Sequence, residues 1–89
     1  MITFYTPSPN ENGGYLVTAT GLSLSSNVWN VIAVDPSIIK LGSRVYIEGL
    51  GTFNAQDTGG AIKGNHIDVL VNYGEANKLG VQYRKIYVK

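Results

Sequence analysis

The sequence has no cysteine and a single histidine, His66. The first absence excludes disulfides, thiol nucleophiles and thiolate metal sites. The second excludes a multi-histidine metal centre within one chain. Charge is also sparse: seven Lys+Arg stand against six Asp+Glu, for a formal net charge of +1, with no basic run. A phosphate-tracking nucleic-acid surface is therefore not expected. No apolar run approaches the roughly 20 residues of a membrane span. The opening Met1-Ile2-Thr3-Phe4-Tyr5-Thr6-Pro7 lacks a charged region followed by an apolar stretch, so no signal peptide is expected in this chain. It then reads either as a protein acting where it is made or as an excised domain.

What is present is glycine and short β-rich runs. With 89 residues, 44% hydrophobic, the chain is expected to form one small globular domain. Ile2 to Tyr5 reads as a first strand, followed by turn formers from Pro7 to Gly14. Tyr15 to Thr20 reads as a second strand, and Ser23 to Asn30 as a loop. Trp29 in that loop is either a core anchor or a sugar-stacking face. Val31 to Val34 is a continuous apolar run, as in a strand buried on both faces. Asp35 and Pro36 open a short helical turn.

Arg44 to Glu48 and Thr52 to Gln56 form a hairpin around Gly49-Leu50-Gly51. In His66 to Val71, alternation sets Ile67, Val69 and Val71 on one face and His66, Asp68 and Leu70 on the other. Gly74 to Gly80 is one or two helical turns, and Arg84 to Val88 the last strand. The expected class is mostly β: a compact barrel of six to seven short strands with one or two short helices.

The three aspartates occupy unusual settings. Asp35 ends an apolar strand before proline, where capping a turn is an ordinary role. Asp57 precedes Thr58-Gly59-Gly60, whose glycines allow close backbone approach. Asp68 interrupts an apolar strand, against the propensity of its type and with no cap to make. Glu11, Glu48 and Glu75 read as solvated. Carboxylates gathered together push one another's pKa apart, which can leave one protonated near neutrality. Such an acid can protonate a leaving oxygen, as glycosidic cleavage requires.

Val34-Asp35-Pro36, Leu41-Gly42 and the twelve residues from Asp57 to Asp68 (Asp-Thr-Gly-Gly-Ala-Ile-Lys-Gly-Asn-His-Ile-Asp) closely resemble the three-aspartate, or 3D, domain. That family occurs in bacterial stationary-phase and cell-wall proteins and in the catalytic region of membrane-bound lytic transglycosylase A. The aspartates lie 22 and 11 residues apart, and the resemblance runs from Phe4-Tyr5 to Lys85-Ile86-Tyr87-Val88. It implies a double-psi β-barrel and a lytic transglycosylase that cuts the MurNAc-β-1,4-GlcNAc bond of peptidoglycan, leaving a 1,6-anhydro end. Asp68 matches the family's catalytic acid, Asp57 the aspartate beside it and Asp35 the third of the cluster. Thr20 matches a threonine near the site and Lys63 a groove-lining position. Thr58, Gly59, Gly60 and His66 join them as candidate substrate contacts. There are two departures: Lys40 before Leu41-Gly42 points to an altered loop rather than altered chemistry, and Trp29-Asn30 before the apolar strand points to a different groove wall there.

This chemistry requires no cofactor and no metal. The implied partner is the glycan strand of peptidoglycan, and the implied location, read from that substrate, is extracytoplasmic at the cell wall; a phage or spore lysis protein also fits. Three other readings use the same residues. A non-catalytic carbohydrate-binding barrel could stack sugars on Trp29, Tyr5, Tyr15, Tyr46 and Tyr73. A muramidase-type hydrolase could use Asp57 and Asp68 as an acid/base pair. Asp57-Thr58-Gly59 is also the triplet of a dimeric aspartic protease, although polar Gln56 precedes it here.

Overall fold

The computed structural model describes residues 1–7 and 17–89. Six strands and one short helix follow in chain order: β1 (Ile2–Tyr5), β2 (Val31–Ala33), β3 (Arg44–Ile47), β4 (Gly51–Asp57), β5 (Ile67–Leu70), α1 (Ala76–Leu79) and β6 (Ile86–Val88). They form one sheet in the order β1-β5-β2-β4-β3-β6, so the fold is mostly β as expected. The pairs β1/β5 and β2/β4 are parallel, whereas β2/β5, β3/β4 and β3/β6 are antiparallel. The β1 edge is closed by a bridge to the segment before β6: Ile2 and Gln82 exchange backbone hydrogen bonds of 2.7 and 2.9 Å. That seam brings the two ends of the sheet together.

β2 lies at the centre, with β5 on one side and β4 on the other, and Val31 through Val34 are all buried. A strand covered on both faces has no polar side to present, which is why this run is unbroken by polar residues. Its alternating side chains divide the interior in two. Ile32 and Val34 join Ile2, Val45, Ile47, Phe53, Ala55, Ile67, Val69 and Val71 in the larger cluster. Val31 and Ala33 join Tyr5, Leu24, Ile62 and Leu70 in a smaller one. The alternation read for β5 is observed, with Ile67, Val69 and Val71 on the larger side and Leu70 on the smaller.

Two expectations are corrected, for Tyr15–Thr20 and for Glu75. Of the predicted strand Tyr15–Thr20, Tyr15 and Leu16 lie outside the described residues, as do residues 8–14 of the predicted turn. The remainder is a tight turn: Val17 forms an isolated bridge to Ser23, and the Thr18 N–H bonds to Leu22 O at 2.8 Å. The Thr18 side chain bonds the Leu22 N–H at 3.0 Å, so this threonine closes a turn instead of extending a strand. The Asp35-Pro36 segment makes the short helical turn expected of it, closed by Ile38 and Ile39 N–H bonds to Asp35 O, and α1 is the one α-helix among the described residues.

Glu75, read as solvated, instead accepts the Trp29 indole Nε1–H (3.1 and 3.3 Å) and the Asn72 N–H (2.9 Å). These bonds, that from Trp29 first, hold its carboxyl below the usual range. Trp29 packs on the larger cluster and against Phe4, with ring centroids 6.3 Å apart, so it is an anchor. Its positive φ of 57°, costly for a bulky residue, is held by that indole bond and by a 2.6 Å bond from its N–H to Leu70 O.

Candidate functional site

Two of the three aspartates converge on one strand position. Ala33 at the end of β2 is paired with Asp57 of β4 on one side and with Asp68 of β5 on the other. With strands about 4.8 Å apart, the two aspartates sit across a single intervening strand. Ala33 has the smallest side chain of its run, so the floor between them is low. Above it lies a groove of about 770 Å³ lined by Tyr5, Val17 to Ala19, Leu24, Ala33, Asp57 to Ile62 and Asp68.

The orientation of Asp57 depends on an irregularity. Along β4, Phe53 and Ala55 face the larger cluster, and strict alternation would send Asp57 the same way. The β2/β4 register, however, steps from Ile32↔Ala55 to Ala33↔Asp57, leaving Gln56 as an extra residue. This β-bulge turns Asp57 to the groove side with Ala33, the re-aiming that bulges commonly perform beside functional sites. Thr20 secures the bulge. Its hydroxyl bonds Gln56 Oε1 at 2.7 Å and lies 3.1 Å from Gln56 O, and its N–H reaches the same carbonyl at 3.3 Å. Thr20 thus holds the backbone that aims Asp57.

The Asp57 carboxylate accepts three hydrogen bonds, each of 2.9 Å: Tyr5 hydroxyl on Oδ2, and Ala19 and Thr58 N–H on Oδ1. Burial pushes the Tyr5 phenol far up, and the charge of Asp57, its hydrogen bond, and Asp68 push further. Tyr5 therefore keeps its proton and remains a donor. Gly59 packs closely on the smaller cluster, for a Cβ there would meet Ile62 Cγ1 at 2.9 Å. That contact is the close approach expected of the Asp-Thr-Gly-Gly loop, and it lets the loop form the groove wall.

Asp68 is reached from the other edge. Thr3, its register partner on β1, places Oγ1 2.9 Å from Asp68 Oδ1 and 2.7 Å from His66 Nε2. His66 Nδ1 in turn lies 3.2 Å from the Ala61 carbonyl oxygen. His66 is therefore bonded behind the acid and is not among the residues lining the groove.

Asp35 stands apart. Its Oδ1 accepts the Ser37 N–H (3.0 Å) and hydroxyl (2.7 Å), and its Oδ2 accepts the Gly64 N–H (2.9 Å). These bonds, that from Gly64 first, bring its carboxyl down to about 2. Gly64 has a φ of +65°, a conformation few other residues tolerate, and it presents its N–H to Asp35. The carboxylate thus ties the loop between β4 and β5 to the end of β2, and it does not line the groove. Lys63 is exposed, outside the groove lining and close enough to Asp35 to favour its anion. Among the described residues no three His, Asp or Glu side chains converge as a metal ion would require.

Of the residues singled out from sequence, the structure brings Asp57, Thr58, Gly59, Gly60 and Asp68 to the groove. It sets Thr20 and His66 behind them, and Asp35 and Lys63 beyond. Sequence reasoning missed Thr3 and Ala33, and took Tyr5 only as a stacking face. Their sole signal was position: Thr3 and Tyr5 alternate on the first strand, and Ala33 is the small residue of a large apolar run.

Comparison with known proteins shows what the chain is similar to. The chain is similar to the cell wall-binding protein YocH of Bacillus subtilis (strain 168), 55% identical over 75 residues, covering 82% of this chain and 26% of that protein. It is similar also to the same organism's "Putative cell wall shaping protein YabE", 54% identical over 68 residues, covering 75% of this chain and 16% of that protein. A third relative, the SPbeta prophage-derived uncharacterized protein YorM, is 42% identical over 71 residues, 71% of this chain and 30% of that protein. The chain thus spans less than a third of the length of each. The sequence profile of the 3D domain matches residues 30–89, which contain all three aspartates and two thirds of the chain. On that match and those identities, the chain belongs to the 3D domain family.

Proposed function

We propose that this domain acts on peptidoglycan of the cell wall, as a lytic transglycosylase with Asp68 as its acid and base. The observation that carries the reading is the pairing of Ala33 with both Asp57 and Asp68, which opens two carboxyl groups onto one groove. The relatives' names, cell wall-binding and cell wall shaping, support the substrate. Protonated Asp68 gives its proton to the glycosidic oxygen as the bond from C1 breaks. The oxocarbenium ion is captured by the same sugar's C6 hydroxyl, whose proton returns to Asp68. The product is a 1,6-anhydro end, and neither water nor an enzyme nucleophile is consumed. Intramolecular capture gains from proximity, worth several kcal/mol in oriented systems. Asp57, held by three donors, supplies fixed negative charge opposite the developing cation.

A second reading, a wall-binding domain without catalysis, is favoured by the name of one relative. Mass spectrometry of soluble fragments released from purified sacculi separates the two, with Asp68→Asn alongside. Anhydromuramic ends lost by at least ~10²-fold in the variant are expected, as for removal of a general acid. Reducing ends would mean hydrolysis. No fragments, with retained sacculus affinity in both proteins, would make it a binder.

A further inference from the structure

The contacts behind Asp68 can be counted in protons. Three short contacts form a line: Ala61 O to His66 Nδ1, His66 Nε2 to Thr3 Oγ1, and Thr3 Oγ1 to Asp68 Oδ1. Each needs one hydrogen. A carbonyl oxygen only accepts, so Nδ1 must carry a proton. The threonine hydroxyl brings one hydrogen. A neutral imidazole and an ionised carboxylate therefore supply two hydrogens for three contacts.

The third hydrogen has two places to be. If Asp68 is ionised, Thr3 donates to it, and His66 donates through Nε2 as an imidazolium. If His66 is neutral, Thr3 donates to Nε2 and accepts a hydrogen from a protonated Asp68. The two forms hold the same protons and the same net charge. They interconvert when the Nε2 proton passes to Thr3 Oγ1 while the hydroxyl's own proton passes to Asp68 Oδ1. Each nitrogen or oxygen that loses a hydrogen in this shift accepts the next.

We infer that His66 and Thr3 form a proton relay to Asp68, holding on the pair the proton that the acid spends on the glycosidic oxygen. The inference rests on the proposed role of Asp68; His66 and Thr3 are positioning residues and touch no substrate. The surroundings suit the shared proton. From β1, Tyr5 senses the charge of Asp68, and the terminal ammonium of Met1 is bonded to Asn65 O at 3.2 Å. β2 presents the uncharged Ala33, with Asp57 beyond it, and Lys63 lies three residues before His66 in the loop. His66 and Thr3 are both partly buried and neither lines the groove, so the shared proton is held outside it.

Because His66 is the one histidine of the chain, its ring nitrogens can be read without ambiguity by NMR on labelled intact protein. The neutral ring is expected as the Nδ1–H tautomer. Across a pH series every step seen at its Nε2 should be seen also at the Asp68 carboxyl carbon, assigned against Asp68→Asn, because the steps of a coupled pair belong to the pair. Thr3→Val, close in shape and well suited to a strand, should leave each group with a step of its own, while Thr3→Ser restores the shared steps. An Nε2–H tautomer, or separate steps in the wild-type protein, would overturn the relay. On sacculi, Thr3→Val should lower kcat about tenfold with KM little changed, short of the ~10²-fold expected for losing the acid itself. An unchanged kcat would also count against it. The NMR readout needs no substrate, so shared steps with no fragment release would refute the lytic reading and leave the proton coupling standing.

Discussion

Ile32 and Ala33 are adjacent on β2, equally enclosed between β4 and β5, yet they face different interiors. Ile32 belongs to the cluster of eleven buried apolar residues. Ala33 belongs to the cluster of six, which includes the Tyr5 that bonds Asp57, and above that cluster the groove opens. One side of the strand supplies stability, and the other leaves volume for chemistry. Side-chain size at the two positions marks the difference: Ile32 fills its space with a branched side chain, while at Ala33 a methyl group leaves the floor clear.

Paired substitutions should separate these roles. Ile32→Ala removes a fully buried side chain from the closed cluster and should cost about 2–5 kcal/mol in urea or thermal unfolding. Whatever protein remains folded should bind and cleave as before. Ala33→Leu adds bulk at the groove floor and should cost about 1–3 kcal/mol through overpacking. Its larger effect should be on sacculus cleavage, because the added atoms stand between Asp57 and Asp68. If Ala33→Leu cleaves normally while folded, the site does not lie over this strand.

Tyr5→Phe sharpens the same contrast from within the smaller cluster. The ring remains, and only the donor to Asp57 Oδ2 is lost. A hydrogen bond to a charged group is worth about 1.5–3 kcal/mol, and the lower end applies to a half-buried carboxylate that retains two backbone donors. Cleavage should fall by about tenfold or less, since Asp57 keeps its charge but loses one of the bonds that hold it. An equal loss in Ile32→Ala at matched stability would mean that both sides of β2 serve the site alike.

How much of this was legible follows from the range of the interactions. The β5 alternation and the division of its side chains could be read directly, because period two is local. The β3/β4 hairpin was marked by its glycines. The aim of Asp57 was hidden: residue spacing along β4 puts it with Phe53 and Ala55, and only pairing with β2 reveals the extra Gln56. The neighbours of Asp68 were hidden for a related reason. Thr3 meets it through a parallel pairing of strands more than 60 residues apart, which no local pattern announces. Trp29 was legible as an anchor, but its partner Glu75 escaped in the same way, looking like a surface residue until bonded to the indole.

Asp35 provides the smallest effect and tests whether the third aspartate belongs with the other two. Its carboxyl, ordinarily near 3.8, is brought to about 2 by Gly64 and Ser37, so the folded protein binds its proton less readily than the unfolded chain. The stabilisation is therefore complete above about pH 4 and is lost as pH falls towards 2. Thermal unfolding of the wild-type protein should weaken across that window, and Asp35→Asn should flatten this part of the profile. At pH 7 the variant should cleave sacculi within about threefold of wild type, well short of the ~10²-fold loss expected for a general acid. Asp35 holds the loop between β4 and β5 at Gly64, two residues beyond Ile62, the last residue of the loop that lines the groove. A loss on the scale of Asp68→Asn, without a change in stability, would put Asp35 in the chemistry and show that the tether is not its main role.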